Sequence, residues 1–154
     1  MSTSVLPTFV STLVSNLQAN AALSGVRIFD GIELDYSYPG NAIAVGHDGA
    51  LEGDDVNAGS MHQEYEGLLG NHSKFEEGSV NCVLWAGNGT TNLASLRTAA
   101  FALLAAVETQ IRSDISFGGL VLYSDLTSGS FSYRQTNVGA GVVIPFVITY
   151  KAKI

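Results

Sequence analysis

Apolar residues at Phe9, Val10, Leu13, Val14 and Leu17 recur at helical spacing, with Pro7 suited to a first turn and Gly25 to a C-terminal cap, so the pattern predicts a helix over 7–22. Short strands follow over 26–30 and 42–46. The turn signal Tyr38-Pro39-Gly40 separates them, which makes them expected antiparallel neighbours. Residues 47–73 are rich in glycine and acid, hold all three histidines and keep no period, so they read as one long loop. Loops of that length are uncommon in compact domains unless they have a task, and this one is the best candidate for a partner-contacting arm.

Beyond it, 75–86 has the composition of a long strand. Gly87-Asn88-Gly89 breaks the run, and Thr91 or Asn92 can cap a helix over 92–113. The core face of that helix is Leu93, Leu96, Ala100, Leu103, Leu104, Val107 and Ile111. Its opposite face, Ser95, Ala99, Ala102, Ala106 and Thr109, is small rather than charged, which implies that both sides are covered. Strands over 120–126, 130–136 and 141–150, with a turn at Ser128-Gly129, suggest a three-strand meander. Pro145 cannot donate to a ladder and implies an edge position or a bulge in the last strand. The expected architecture is α/β in the α+β sense: a single mostly antiparallel sheet with two main helices packed on it, forming one domain over 1–154.

Composition changes the picture in one respect. Only 14% of the residues are charged, against about 25% in an ordinary soluble domain, while 46% are hydrophobic. Some of the outer surface is therefore expected to be covered by other copies or partners. The formal charge of -7 argues against a protein that grips duplex DNA. The single cysteine, Cys82, lies in an apolar run, allows no intrachain disulfide and fits synthesis in a reducing cytoplasm. The N-terminus lacks the basic start of a signal peptide, and no apolar run is long enough for a membrane span.

Candidate chemistry is sparse. Strand, Gly87-Asn88-Gly89-Thr90-Thr91, then helix could attract an anion, but Asn92 stands where a dinucleotide fingerprint has its third glycine, and the Lys-Ser/Thr pair of a P-loop is missing. His62 and Glu66, with Glu64, His72 and Glu76 nearby, could supply metal ligands, yet HExxH is absent. Asp48, Glu52, Asp54 and Asp55 are spaced loosely like a calcium loop, but Ala50 and Gly59 occupy its third and twelfth positions. Cys82 reads as packing, and Glu76 and Glu77 alternate faces on a strand. No catalytic residue, metal or cofactor is expected, and the chain reads as a non-enzyme.

The order of elements, and specific strings within it, resemble the tail terminator family of long-tailed bacteriophages, particularly versions from siphophages of actinobacterial hosts. The strings are Val26-Arg27-Ile28-Phe29-Asp30-Gly31, the strand from Ala42 to Gly46 followed by Asp48-Gly49, and Gly67-Leu68-Leu69-Gly70. Further on come the helix from Leu96 to Glu108, Gly118-Gly119, Gln135-Thr136, Gly139-Ala140-Gly141 and the apolar strand to Tyr150.

The resemblance implies a homo-hexameric ring in the virion that caps the last ring of tail tube protein, blocks further tube growth and offers its other face to head-completion or connector proteins. DNA would pass through without being read. A domain of this length has a radius of gyration of roughly 15 Å, equivalent to a sphere of roughly 19 Å radius, so six in contact leave a hole of roughly 38 Å. Six copies at -7 give an acidic wall that would let DNA slide. The surfaces expected to carry assembly are the acidic residues Asp48, Glu52, Asp54 and Asp55 and the small helix face at Ala99, Ala102 and Ala106. A head-completion or other minor tail protein is the rival within this class. A small nucleotide-binding module or enzyme using the glycine turn is the rival outside it.

Overall fold

The computed structural model describes residues 3–31, 40–49, 55–67, 72–87, 92–136 and 139–154. Its elements are α1 (Leu6–Gln18), a single 3-10 turn (Ala21–Leu23), β1 (Arg27–Asp30), β2 (Ala42–Val45), β3 (Gly59–Tyr65), β4 (Lys74–Gly87), α2 (Leu93–Ser113), β5 (Tyr123–Gly129), β6 (Ser132–Thr136) and β7 (Gly139–Lys153). This is an α+β fold in which one seven-stranded, mostly antiparallel sheet carries both helices on one face.

Two long strands form its spine. β4 and β7 pair antiparallel from Phe75 and Lys153 to Gly87 and Gly141. The outer edge of β4 is shared, β3 taking Lys74 to Val80 and β2 taking Cys82 to Trp85. The outer edge of β7 is likewise shared between β5 and β6. At one end the strand order is therefore β3-β4-β7-β5, and at the other β1-β2-β4-β7-β6.

Three expectations are corrected here. β1 and β2 pair parallel, not antiparallel. The segment 47–73 is not one loop, because β3 lies within it and pairs along β4 over its full length. The C-terminal third is not a meander: β5 and β6 both run antiparallel to β7, successive pieces of one interrupted edge strand, and Ser128-Gly129 continues pairing instead of reversing the chain.

Pro145 explains the interruption. It lies in a central strand opposite Val83, and its carbonyl accepts from the Ser130 N–H at 3.0 Å. A strand residue points its N and its C=O to the same side, so the donor that proline lacks faces the place where β5 gives way to β6. The expected bulge exists, but in the partner strand, between Leu126 and Ser128.

Alternation builds the core. Val80, Cys82, Leu84 and Ala86 of β4 and Val142, Ile144, Phe146, Ile148 and Tyr150 of β7 all face the helices. Phe9, Leu13, Val14 and Leu17 of α1, and Leu96, Ala100, Val107 and Ile111 of α2, close over them. Burial of side chains of this size contributes about 1.5 to 3 kcal/mol each.

α1 is fastened by an unusual device. Its N-cap residue, Val5, has no capping side chain. Instead Glu76, fully buried in β4, accepts from the Val5 N–H at 3.2 Å and the Ser4 hydroxyl at 2.9 Å, while the Leu6 N–H donates to Ser4 Oγ. Gln63 Nε2 at 2.6 Å and the Tyr150 hydroxyl at 2.7 Å complete the carboxylate's shell.

Burial opposes the charge of Glu76, yet the bonds from Tyr150, Gln63, Ser4 and Val5 together hold its carboxyl below the ordinary range. Gly78 makes this geometry possible. It pairs with Tyr150, and a Cβ there would stand 2.3 Å from the ring, so only glycine lets the phenol cross β4 to reach Glu76. The same ring packs on Phe9 at 4.5 Å, and Phe9 on Phe117 at 4.6 Å.

Candidate assembly surface

The structure disperses the groups that could have made a catalytic or metal centre. Glu76 is buried on the helix face, while Glu77 is exposed on the other and pairs with Lys151 at 2.9 Å. His62 meets Glu64 at 3.1 Å on the exposed strand β3, and Glu66 is taken by Ser73 at 2.6 Å and Lys153 at 2.7 Å. No cluster of three His, Cys, Asp or Glu able to hold a metal exists among the described residues.

Cys82 is fully buried, and burial pushes its thiol up to about 12, which leaves it packed and inert. The glycine turn Asn88-Thr91 lies outside the described residues. The helix start beyond it is capped from within, Asn92 Oδ1 accepting the Ser95 N–H at 3.1 Å, as expected for this residue type.

His47 departs from the loop reading. It is fully buried, packs edge-on to Trp85 at 5.4 Å, and its Nδ1 accepts from the Gly49 N–H at 2.8 Å. Burial lowers its pKa, with Asp48 pulling the other way. Asp48 itself accepts from the Asn57 N–H at 3.1 Å and borders an open groove of about 320 Å³ with Ser128, Ser130 and Pro145. The titratable residues lining that groove are Asp48 and Cys82, and burial keeps the Cys82 thiol protonated.

Of the expected interface residues, Asp48 is half-exposed and Asp55 exposed, while Glu52 and Asp54 lie outside the described residues. Ala99 and Ala102 are exposed and Ala106 is half-buried. Of the small face of α2, Ala106 packs against the subunit's own core, while Ala99 and Ala102 are left exposed. Leu93, expected in the core, is also exposed, on the first turn of α2.

Pattern reading missed an aromatic surface. Phe101 is 40% exposed, Phe131 48% and Tyr133 41%. Their rings meet edge to face, Phe101 with Phe131 at 5.6 Å and Phe131 with Tyr133 at 5.8 Å, and Arg97 donates to the Tyr133 hydroxyl at 2.6 Å. The available signal was Phe101, a large aromatic out of phase with the core stripe of its helix. Its partner Phe131, just before β6 and thirty positions away, is not assignable from the helix pattern.

Charge is distributed as unevenly. Every lysine of the chain, Lys74, Lys151 and Lys153, sits at the β3-β4-β7 end, paired with Glu77 or Glu66 or lying over the rings of Tyr65 and Phe75. No helix among the described residues is long and apolar enough to cross a membrane.

The fold corresponds from end to end with a chain of a solved structure described as the virion of a native gene transfer agent particle. The TM-score is 0.54, the match covers 99% of this chain and 100% of that one, and 13% of the residues are identical. At that identity the likeness is one of fold. No protein-family model and no curated protein matches the sequence.

Proposed function

We propose that this chain is a structural, non-enzymatic subunit of a phage-like virion, and more specifically a tail terminator. In this reading six copies form a ring at the head-proximal end of the tail, cap the last ring of tube subunits and present the opposite face to head-completion proteins. DNA passes through the acidic hole without sequence-specific contact, and assembly takes place in the host cytoplasm. The observation that carries the proposal is the end-to-end correspondence of fold with a chain of a virion particle. A surface poor in charge and bearing exposed aromatic rings supports it, since such patches are found where proteins meet.

The role asks for contact rather than chemistry. A terminator acts by occupying the growing end of the tube, so its energy comes from buried area and its specificity from shape and charge along the rim. Removing the chain from an assembling particle system tests the reading. Tubes of uncontrolled length without heads are expected; tubes of normal length joined to heads would overturn it.

A further inference from the structure

At the β1-β2-β4-β7-β6 end the sheet has two different edges: α1 packs beside β1, while α2, which lies over β4, β7 and β5, reaches β6 through Arg97 on the Tyr133 hydroxyl. Along β6 and α2 lie the rings of Phe101, Phe131 and Tyr133, held edge to face, with Arg97 fixed on the Tyr133 hydroxyl. Rings ordered in advance lose little entropy on binding, and Tyr and Arg are the residue types that dominate interface energies. In a chain with 14 carboxylates, Arg97 faces none within ion-pair range among the described residues.

The opposite edge is the complement. No charged residue precedes Arg27, so the outward side of α1 and its following turn is neutral, with Ser15, Ala19 and Ala22 exposed. At its rim stands Asp30, exposed on the last residue of β1, on the helix side of the sheet and, among the described residues, without a cation partner.

We infer that the α2–β6 edge of one copy docks on the α1–β1 edge of the next, its aromatic rings against the uncharged surface of α1 and Arg97 facing Asp30. The occupant is a second copy because the same chain carries both halves: a neutral surface rimmed by Asp30, which has no cation partner among the described residues, and an aromatic one rimmed by Arg97, which has no carboxylate partner among them. The two edges differ and lie on opposite sides of the subunit, so the contact is head-to-tail and generates a ring when the rotation closes. This rests on the ring proposed above and names the surfaces that would build it.

Charge reversal tests it. The full chain would be prepared as wild type, Arg97→Glu, Asp30→Arg and the double variant, each checked by thermal melting, and ring content measured by native mass spectrometry in solution and by imaging in assembled particles. Each single reversal should lower ring formation by about tenfold or more, because like charges then face each other, with melting unchanged; the double variant should recover it. Rings formed equally well by both single variants, or a double variant no better than they are, would overturn this interface while leaving the ring intact. A wild-type chain that forms no ring either in solution or in particles would remove both readings.

Discussion

α1 and α2 lie on the same face of one sheet, yet they are held in opposite ways. α1 is locked at its start by a buried carboxylate with four hydrogen-bond donors, and it turns a neutral polar side outward. α2 is held mainly by apolar contacts at Leu96, Ala100, Val107 and Ile111, with Arg97 bonded to Tyr133 at its surface, and it turns Leu93, Phe101 and Ala102 outward. A fixed helix needs nothing further from a partner. A helix with apolar groups on its outer side gains from being covered, and that difference is why the proposed contact sets the α2 side of one subunit against α1 of the next.

The largest expected effect breaks the locked side. Gly78→Val places a side chain where the Tyr150 ring passes and should cost about 3 kcal/mol or more, with Tyr150 displaced from Glu76; denaturant unfolding would measure it. A midpoint within error of wild type would show that the ring has another route. Next, Tyr150→Phe keeps the packing but removes one donor from a buried carboxylate, for an expected loss of about 1.5 to 3 kcal/mol.

Acid should reveal the same lock. The folded pKa of Glu76 lies below its ordinary value of 4.5, so its contribution is complete above that pH and is lost as pH falls through the folded value. His47 works in the same direction at higher pH. Its folded pKa is also depressed, so stability is full above 6.5 and declines as acid protonates the Nδ1 that accepts from Gly49. Unfolding measured against pH should therefore show two acid limbs, the lower one flattened in Glu76→Gln. An unchanged lower limb in that variant would assign it elsewhere.

The smallest effect on folding is expected on the open side. Ala102 is exposed, so Ala102→Leu should change stability by less than about 0.5 kcal/mol. If α2 is a ring surface, the same change should reduce assembly. A melting point lowered by several degrees would show instead that Ala102 packs within its own subunit.

How far the sequence disclosed this molecule follows from the range of each interaction. The helices and the long strands β4 and β7 are legible because their apolar periods are local. Asn92 as a cap, Cys82 as packing and the divergence of Glu76 and Glu77 are legible for the same reason. Strand β3 is not, because Ser60, His62, Gln63 and Glu64 give it no apolar face, and it exists by pairing with β4. The parallel pairing of β1 with β2 is not written in either strand's own pattern. The Glu76 lock joins residues more than seventy positions apart, and the aromatic surface joins Phe101 to Phe131. Of the surface proposed for assembly, the sequence disclosed the small face of α2 and not the rings beside it.

The central claim is that this chain is a ring-forming virion subunit, and a reconstruction of the assembled particle by electron cryomicroscopy tests it most directly. The account predicts six copies around the tail axis at the junction of tube and head, with the α2–β6 edge of each against the α1–β1 edge of its neighbour. Density for this chain at a monomeric or twofold position, or its absence from the particle, would contradict it.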